Sequence, residues 1–481
     1  MATNKTFYIT TPIYYPNAKL HMGHAYTTVV CDILARAKKL QGEEVYFLTG
    51  ADENTEKVVR AAKEADKETK EYLDEVIENF KDLFEKLEIS EDQFIRTSDD
   101  KNHWPGVIEI WKRLEKAGDI EKRNYEGLYC VGHEAFITEK DLIDGKCPDH
   151  NEKPELLREE NYFFKLSKYT EQIKEKIKSG EMKIIPESRK NEILALLDRG
   201  LEDISFSRSA KKISVGIPVP GDSSQKIYVW GDALTNYISA LGFGRDDELY
   251  KKFWPGIHVM GKDILRFHAA IWPGMLLSAG LPLPQKLLVH GFITSGGKKM
   301  SKSLGNVIDP IFLIDTYGAE AVRYYLARHI SPFEDGDLTL ESFKDAYNAH
   351  LANGLGNLVS RIMKMAVNNI EKLKEEKIEK LEEEKLSKEY LDFLNNFEIN
   401  KACDYIWSQI SEMDKYIQEN QPFKVVKTDE EKGQKMISDL VARLYFVARM
   451  LNPILPETSA KIKSFIKENK TPDKPLFARK D

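Results

Sequence analysis

Two histidines one helical turn apart form the first pattern in the chain that could do chemistry. His21 and His24 flank Met22 and Gly23 in the tetrapeptide HMGH, which follows a strand-like apolar run. The N–H groups at a helix N-terminus attract phosphate, two imidazoles can donate to its oxygens, and Gly23 allows the backbone to approach closely. Two histidines near a turn commonly have no such role. The strand-to-helix context is what favours a nucleotide site here.

A lysine-rich segment near residue 300 is the second pattern. The sequence KKMSKS, residues 298–303, follows a predicted strand and is flanked by Gly296, Gly297 and Gly305. Lysine is a mobile point charge, and a loop hinged on glycines can close over a polyphosphate. The alternative is an exposed basic loop without a function. A histidine pattern and a lysine loop on two halves of one doubly wound sheet would border one crevice, and this pairing favours a nucleotide site.

A third pattern consists of two Cys-x-x-His pairs, Cys130 with His133 and Cys147 with His150, with 13 residues between the pairs. This spacing suits a tetrahedral zinc ion without an open coordination position. Such an ion would stabilise a small loop-rich fold. The alternative is that these residues bind no metal.

Apolar patterning predicts the elements that must position these residues. Residues 7–11 and 45–49 are predicted to be buried strands, and apolar residues recur at helical spacing between them. Because neither strand alternates cleanly, a parallel sheet covered on both faces is expected. The fold class predicted is therefore α/β, with a Rossmann-type doubly wound parallel sheet in two halves. Further predictions are strands over 227–230, 257–260 and 287–293, a helix over 264–278, a helix over 169–178 and a strand over 213–219.

The patterning also divides the chain. The stretch with the Cys/His pairs is predicted to be inserted between the two halves of the sheet, and the pattern is helical from about residue 346. The predicted domains are 1–115 (first half, with HMGH), 116–224 (insertion), 225–298 (second half), 299–345 (lysine loop and the region after it) and 346–481 (helical domain).

Composition limits the class of protein. With 481 residues, 42% hydrophobic and 31% charged, the chain can form several domains with cores, which excludes a disordered or fibrous protein. No apolar run approaches the roughly 20 residues of a membrane helix, and four cysteines fit a reducing compartment, so a cytosolic protein is expected. The net charge of -7 is only an average, and a local basic face could still bind nucleic acid.

The motifs resemble those of a known family. HMGH and KMSKS are similar to the two signature sequences of class I aminoacyl-tRNA synthetases. TPIYYPN, GADEN, YVWGDAL, GKDI, RFHAAIWPG and VHGFIT resemble methionyl-tRNA synthetases in order and spacing, over nearly the whole chain. The resemblance implies a catalytic domain split by a connective insertion with a zinc knuckle, a stem-contact region around the lysine loop, and an all-α anticodon-binding bundle.

The implied chemistry has two steps, in which positioning and charge stabilisation do most of the work. The carboxylate of methionine attacks the α-phosphorus of ATP, giving methionyl-adenylate and pyrophosphate, with Mg²⁺ assisting. The 2′-OH of the terminal adenosine of tRNA(Met) then attacks the adenylate. The resemblance assigns catalysis to His21, His24, Lys299 and Lys302, and ATP binding to Gly23, Gly261, Asp263, Ile293 and Ser301.

The resemblance also implies a methionine pocket, in which Asp52 matches the carboxylate that holds the ammonium group. Aromatic rings give a flexible thioether apolar area, and a hydroxyl or imidazole can contact the sulfur. Discrimination against a side chain that differs by one methylene is worth only about 1 to 3 kcal/mol, so some activation of homocysteine is expected. The residues matched to the side-chain pocket are Ile13, Tyr15, Trp230, Ala233, Leu234, Tyr237 and His268.

Anticodon recognition is implied for three residues of the helical region. Asn357 and Arg361 match positions that read the CAU anticodon, and their spacing places them on one helix face. The alternatives are a helix-packing asparagine and a solvated charge. Phe423 stands where the family commonly has a tryptophan, and it can still stack on a base.

The chain departs from the family pattern at two further positions. Asn54 replaces a histidine that many relatives have, and His133 stands where a cysteine is more usual in the zinc knuckle. The sequence ends soon after the helical bundle, without the further oligonucleotide-binding domain of dimeric relatives, so a monomer is expected.

Other classes of protein share some of these features. A small-molecule nucleotidyltransferase can share the histidine signature but needs neither the lysine loop nor a long helical domain. Synthetases for isoleucine, valine or leucine carry a much larger editing insertion. A synthetase for cysteine would be expected to place its metal ion at the substrate. A tRNA-binding paralogue without catalysis stays open from the sequence alone, although the intact histidines, lysines and Asp52 count against it.

Overall fold

The computed structural model of the protein describes residues 5–132, 135–137, 139, 142–148, 151–300 and 305–481. The strands are β1 (Thr6–Thr10), β2 (Glu44–Ala51), β3 (Gln93–Arg96), β4 (Ile120–Cys130), β5 (Ala135–Ile137), β6 (Glu155–Phe164), β7 (Lys183–Ile185), β8 (Ile204–Ser205), β9 (Ser207–Ser209), β10 (Pro218–Val219), β11 (Asp222–Ile227), β12 (Ile257–Gly261), β13 (Lys286–His290), β14 (Ile293–Ser295), β15 (Lys298–Lys299) and β16 (Gly336–Asp337).

The α-helices are α1 (Met22–Leu40), α2 (Glu56–Glu64), α3 (Thr69–Lys86), α4 (Trp104–Lys116), α5 (Thr170–Ser179), α6 (Glu187–Asp198), α7 (Val229–Ser239), α8 (Glu248–Phe253), α9 (Trp272–Ser278), α10 (Pro310–Tyr317), α11 (Ala319–His329), α12 (Leu340–Ala346), α13 (Asn357–Asn369), α14 (Glu375–Glu383), α15 (Lys388–Asn395), α16 (Ile399–Asn420), α17 (Pro422–Thr428), α18 (Glu430–Leu451) and α19 (Pro456–Glu468). Short 3₁₀ or π-helical turns occur at Leu166–Tyr169, Lys262–Ile264, Phe267–Ile271 and Tyr347–Gly356.

The first of two compact units comprises Met1–Leu20, Glu43–Asp82 and Ser90–His290. Its main sheet has six strands in the order β3-β2-β1-β12-β13-β7. Every pairing in this sheet is parallel. The order, with β1 central and strands added outward on both sides, is that of a doubly wound sheet, which confirms the predicted parallel fold. Its edge strand β7 comes from within the stretch predicted to be inserted.

Several predicted elements are confirmed and others are wrong. The strands expected over 7–11, 45–49 and 257–260 correspond to β1, β2 and β12. The strand predicted over 227–230 is wrong, because β11 ends at Ile227 and helix α7 begins at Val229. Residues 227–230 are a short continuous apolar run, which does not distinguish a buried strand from the start of a buried helix.

Two further strand predictions are wrong in their bounds. The strand predicted over 287–293 is two strands, β13 and β14, with Gly291 between them. A Cβ at Gly291 would lie 2.4 Å from the carbonyl oxygen of Glu334, so only glycine permits this close passage. The strand predicted over 213–219 is reduced to β10, Pro218–Val219. The helix predicted over 264–278 is confirmed as continuous helical backbone, which changes from a 3₁₀ turn to a π-helical turn and then to α9.

Two smaller antiparallel sheets also belong to the first unit. β4 and β6 form a long ribbon, flanked by β5 and β8, and β10, β11 and β9 form a three-stranded sheet. The ribbon runs from the pair Ile120 and Phe164 to the pair Tyr129 and Glu155. The end of β4 carries Cys130, the first of the predicted zinc ligands.

The second unit comprises His21–Gly42, Leu83–Ile89 and Gly291–Asp481. Besides the three-stranded sheet β15-β14-β16, it contains α1 and the helices from α10 onward. This confirms the predicted helical C-terminal region. Helices α16 and α18, of 22 residues each, bury one apolar face, as their spacing predicts. Within the described part of the chain, no helix is both long and apolar enough to cross a membrane.

Candidate active site

His21 and His24 form a reciprocal cap on the first turn of α1. The His21 backbone is extended and its Nδ1 accepts from the N–H of Gly23 at 3.0 Å, while Nδ1 of His24 accepts from the N–H of His21 at 3.1 Å. The rings stack with centroids 3.8 Å apart. Because both Nδ1 atoms accept, each neutral ring carries its proton on Nε2, an atom that can donate to a phosphate oxygen.

Gly23 and His24 each have a property that depends on their surroundings in this segment. A Cβ at Gly23 would lie 2.9 Å from Cε1 of His21, so the glycine is needed for the capped ring position. Partial burial lowers the pKa of His24 well below its ordinary value, and the neighbouring His21 lowers it further. His24 is therefore neutral at pH 7 and can act only as a hydrogen-bond donor, not as a fixed positive charge.

The lysine segment begins in a tight β-hairpin. Gly296 and Gly297, with φ of 62° and 70°, form the turn between β14 and β15, and β15 consists of Lys298 and Lys299. Positive φ at both turn residues gives the twist that two-residue hairpins need. Asp337 accepts from the N–H of Gly297 at 2.9 Å, and this bond is the first cause of its lowered pKa.

Both lysines of β15 are exposed. Nζ of Lys299 lies 5.4 Å from the centre of the Phe292 ring, and the carbonyl of Lys299 accepts from the amide of Asn306 at 3.2 Å. Ser301 and Lys302 lie outside the described residues. The glycines that were predicted to be hinges at 296 and 297 are thus the turn of an ordered hairpin that carries Lys299.

An aromatic cluster surrounds the start of α7 in the first unit. The ring of Trp230 stacks on Phe267 with centroids 3.8 Å apart and lies edge-on to His268 at 6.2 Å. The hydroxyl of Tyr237 lies 2.7 Å from Nε2 of His268. The structure thus brings together three of the residues matched to the methionine pocket; Ala233 and Leu234 lie on the same helix and are buried.

The hydrogen bonds of His268 fix its tautomer. Its Nδ1 lies 3.0 Å from the carbonyl of Ile264, which can only accept, so Nδ1 carries the proton. Nε2 therefore accepts from the hydroxyl of Tyr237. Burial lowers the pKa of His268 to about 4, so the ring is neutral at pH 7. The pair presents oxygen lone pairs and ring edges rather than charge, which suits an apolar thioether.

Backbone pairing places Ile13 and Tyr15 beside the loop that carries Asp52. The N–H of Tyr14 donates to the carbonyl of Gly50 at 3.0 Å, and the N–H of Asp52 donates back to Tyr14 at 2.9 Å. A Cβ at Gly50 would lie 3.0 Å from Cγ2 of Ile13, so the two segments are in direct contact. Asp52 is only 2% exposed.

Three of the five residues matched to ATP binding lie at or beside the ends of strands. Gly261 ends β12, where a Cβ would come within 2.7 Å of Oδ1 of Asp263. Asp263 is exposed on the following 3₁₀ turn. This is the carboxyl end of a central parallel strand, where ligands bind in doubly wound sheets. Ile293 begins β14 in the second unit and is buried.

The cluster contains two further aromatic residues that the sequence did not predict. Phe267 stacks on Trp230, and His258 stacks on Tyr237 with centroids 3.9 Å apart while its Nδ1 lies 2.9 Å from Oγ1 of Thr10. Burial, then the charge of His268, lowers the pKa of His258 well below its usual value. The signal for Phe267 was its place next to His268 in RFHAAIWPG; a π-helical turn at Phe267–Ile271 sets these two rings at the cluster.

Of the four predicted zinc ligands, the structure describes two. Cys130 and Cys147 are 2% and 1% exposed. His133 and His150 lie outside the described residues. No group of three or more His, Cys, Asp or Glu suited to a metal occurs among the described residues, which exclude half of the predicted set.

The predicted anticodon residues lie on the surface of the second unit. Asn357 is exposed on the first turn of α13, and Arg361 follows one turn later, forming an ion pair with Asp414 of α16. Phe423 is 41% exposed at the start of α17, while the preceding Pro422 is buried. An aromatic ring held outward in this way can stack on a base.

Two family models match the chain. Residues 7–154 and 141–363 match the family described as tRNA synthetases class I (M), and residues 368–476 match the anticodon binding domain of methionyl tRNA ligase. The fold is thus that of a class I aminoacyl-tRNA synthetase.

Individual relatives narrow this class. The chain is 45% identical over 477 residues to the methionine–tRNA ligase of Clostridium acetobutylicum, covering 96% of this chain and 74% of the relative. The methionine–tRNA ligase of Thermotoga maritima is 41% identical over 471 residues, which cover 95% of this chain and 74% of the relative. The chain belongs to the methionyl-tRNA synthetase family.

Solved structures agree with this assignment. The Mycobacterium tuberculosis methionyl-tRNA synthetase in complex with methionyl-adenylate superposes with a TM-score of 0.87 at 35% identity, covering 95% of this chain and 93% of that chain. The apo form of the same enzyme gives a TM-score of 0.82 at 31% identity, covering 100% and 99%.

Proposed function

We propose that this protein activates methionine with ATP and transfers it to tRNA(Met), as a methionine–tRNA ligase. The observation that carries the proposal is the buried cluster of Trp230, Tyr237 and His268, in a chain 45% identical over 477 residues to a relative of that name. The cluster offers aromatic area and uncharged polar edges to a thioether, and Asp52 offers a buried carboxylate to an ammonium group.

In the first step, a carboxylate oxygen of methionine forms a bond to the α-phosphorus of ATP, and the bond to the β-phosphate breaks, releasing pyrophosphate. Nε2–H groups of His21 and His24 would donate to the α-phosphate as its charge develops. Lys299 and Lys302 would hold the departing pyrophosphate, Ser301 would bind ATP, and Mg²⁺ would enter with ATP. Losing one such donor costs on the order of a hundredfold to a thousandfold in rate.

The nucleoside of ATP would be bound by the residues at the strand ends. The exposed carboxylate of Asp263 can accept from ribose hydroxyls. Gly23 and Gly261 would contact the nucleotide, because a residue without a side chain lets a ligand approach the backbone closely. Ile293 would contact the adenine ring.

In the second step, the 2′-OH of the terminal adenosine of the tRNA attacks the carbonyl carbon of methionyl-adenylate, and AMP leaves. Asn357, Arg361 and Phe423 would select the tRNA by its anticodon. The exposure of Asn357 and Phe423 supports this role. Arg361 would have to exchange its ion pair with Asp414 for an RNA contact, which a partly exposed pair allows at low cost.

We also propose one structural zinc ion bound by Cys130, His133, Cys147 and His150. The two described ligands fit, because both thiols are buried and both lie at tight turns: Cys130 ends β4, and the carbonyl of Cys147 accepts from the N–H of Asn151 at 2.8 Å. When bound, zinc would hold these turns together. Elemental analysis should find one zinc per chain in the wild type and none in Cys147→Ser; a zinc-free wild-type protein that is folded and active would contradict the site.

Aminoacylation tests the full activity. The purified protein should charge a transcript of tRNA(Met) with labelled methionine, and a transcript whose CAU anticodon is replaced should be charged much more slowly. Equal charging of both transcripts would contradict the anticodon role, and no charging of either would contradict the proposed function.

The protein is further proposed to be a monomer, and light scattering should give the mass of one chain rather than two.

A further inference from the structure

A buried polar cluster lies in the first unit, next to the aromatic pocket but outside the residues matched to methionine. Asp232, on the first turn of α7, is 1% exposed, and its two oxygens have different partners. Oδ1 accepts from Nε2 of His103 at 2.5 Å, and Oδ2 accepts from the amide of Asn54 at 2.8 Å. The same amide donates to the carbonyl of Thr97 at 2.9 Å.

His103 connects two turns of α7. Its ring is fully buried, and its Nδ1 lies 2.7 Å from Oγ of Ser239, at the end of the helix. Because Asp232 and Ser239 are seven residues apart, they lie on one face of α7, and the imidazole bonds to both. The Nε2 atom must be the donor in the bond to the carboxylate.

Asn54 belongs to the loop that follows β2. It stands two residues after Asp52, and the N–H of the intervening Glu53 donates to Oγ1 of Thr97 at 2.8 Å. The loop is therefore attached to the segment after β3 by main-chain and side-chain bonds. Through Asp232, the same loop is attached to α7.

These contacts join the two parts of the amino-acid pocket. Asp52, which would hold the ammonium group, lies on the loop. Trp230 and Tyr237 lie on α7, two residues before Asp232 and five residues after it. We propose that Asn54, His103 and Asp232 are positioning residues for methionine, which set the distance between the Asp52 carboxylate and the aromatic wall. The inference rests on the proposed methionine activation.

The physical chemistry of the cluster supports positioning rather than stability alone. A buried carboxylate is costly unless hydrogen-bonded, and apolar residues of similar volume commonly give equal or greater stability. What the directional bonds of Asp232 add is a fixed orientation between three segments that are far apart in the sequence. The cluster also gives a role to Asn54, because its amide supplies two donations, one to Thr97 and one to Asp232.

Two substitutions of His103 separate the bonds of the ring. In His103→Gln the amide nitrogen occupies roughly the position of Nε2 and can still donate to Asp232. In His103→Asn the shorter amide occupies roughly the position of Nδ1, so the bond to Ser239 is kept and the one to Asp232 is lost. Both replace the ring by an amide at the same buried position and are therefore matched controls.

Methionine-dependent pyrophosphate exchange, measured against methionine and then against ATP, tests the proposal. The KM for methionine should rise about tenfold in His103→Asn and in Asn54→Ala, as expected for losing one bond to a charged group, and the KM for ATP should stay within about twofold. His103→Gln should be within about threefold of the wild type. Thermal unfolding of all variants reports whether each is folded.

The positioning role would be established if the KM for methionine alone rises in His103→Asn and Asn54→Ala and stays near the wild-type value in His103→Gln. The same methionine KM in His103→Asn, Asn54→Ala and the wild type would overturn it, as would parallel losses for methionine and ATP in both His103 variants. If His103→Asn does not fold, the comparison of the methionine KM between Asn54→Ala and the wild type decides the question. Failure of the proposed function is distinguishable, because the wild type itself would then show no exchange with methionine.

Discussion

Burial sets the protonation state of His268. The ring is 1% exposed, its pKa is lowered to about 4 by burial, and its two nitrogens are engaged by Tyr237 and Ile264. In the unfolded chain the pKa returns to about 6.5, so as the pH falls the unfolded state is protonated first. The stability that this ring contributes is complete above pH 6.5 and is lost as the pH falls towards 4.

The pKa difference predicts a measurable pH dependence. Between pH 6.5 and 4 the free energy of unfolding should lose about 3 kcal/mol from His268. Chemical denaturation of the wild type and of His268→Gln at several pH values should show the steeper loss in the wild type. The other buried histidines are present in both proteins, so the difference between the two curves reports on His268 and on its interaction with His258. Parallel curves would show that the ring does not titrate as its surroundings imply.

Gly23 gives a second prediction for a single residue. In Gly23→Ala the new Cβ would lie 2.9 Å from Cε1 of His21, which would move the ring and break the reciprocal cap. The rate constant of pyrophosphate exchange should fall roughly tenfold to a hundredfold, because the donors to the developing phosphate charge are displaced. Gly42→Ala, at the other end of α1 with φ of 80° and open space around it, is the control and should exchange normally. Normal exchange in Gly23→Ala would mean that the cap is not needed for catalysis.

Among the elements, the hairpin of β14 and β15 positions Lys299. Gly297 has φ of 70°, where a β-branched side chain is strained. In Gly297→Val we expect kcat/KM for ATP to fall about tenfold, because the turn must rearrange and displace the lysine. Gly280→Val, at φ of 67° after α9 and with no neighbouring atom within 4 Å, has the same backbone cost elsewhere. Equal activity of the two variants would rule out a role for the hairpin geometry.

Helix α17 carries the other prediction at this scale. Phe423→Ala should raise the KM for tRNA in aminoacylation by about tenfold, since base stacking is worth about 1–3 kcal/mol, and should leave pyrophosphate exchange unchanged. Phe423→Trp should bind tRNA at least as well as the wild type. Leu249→Ala, with a side chain 38% exposed on α8, controls for loss of exposed apolar surface. An unchanged KM in Phe423→Ala would remove Phe423 from the anticodon site.

Some helices and strands could be predicted from the sequence and others could not. Strands β1, β2 and β12 and the helical C-terminal region were predictable, because their apolar periodicity is local. The start of α7 was not, because Ile227 to Trp230 is a short apolar run that suits either a buried strand or a buried helix. A helix was predicted over 264–278, but its pattern does not indicate that Phe267–Ile271 is a π-helical turn. This turn sets Phe267 and His268 beside Trp230.

At the scale of the whole chain, contacts between distant segments could not be predicted from the sequence either. In the second unit, Arg323 of α11 is fully buried and pairs with Asp32 of α1 at 2.7 Å. It also donates to the carbonyls of Leu87, Pro453 and Ile454. A buried arginine in an amphipathic helix gives no sequence signal for partners hundreds of residues away. The same holds for His103 and Asp232 in the first unit.

Removing this arginine should destabilise the second unit strongly. Arg323→Met would leave the carboxylate of Asp32 without this buried partner and three carbonyls without their donor, and we expect a loss of about 3–5 kcal/mol. Arg328→Met, which removes an arginine on the same helix that pairs with the exposed Asp404, should cost much less. Guanidinium denaturation of both variants makes the comparison. A similar loss of stability in both variants would show that the buried ion pair contributes no more than the exposed one.

The most direct measurement of the central claim is ATP–pyrophosphate exchange without tRNA, carried out with each of the twenty amino acids in turn. The wild type should exchange with methionine alone, and His24→Ala should lose at least about a hundredfold of that rate. Exchange with another amino acid in place of methionine would contradict the pocket assignment, and no exchange with any amino acid would contradict the enzyme itself.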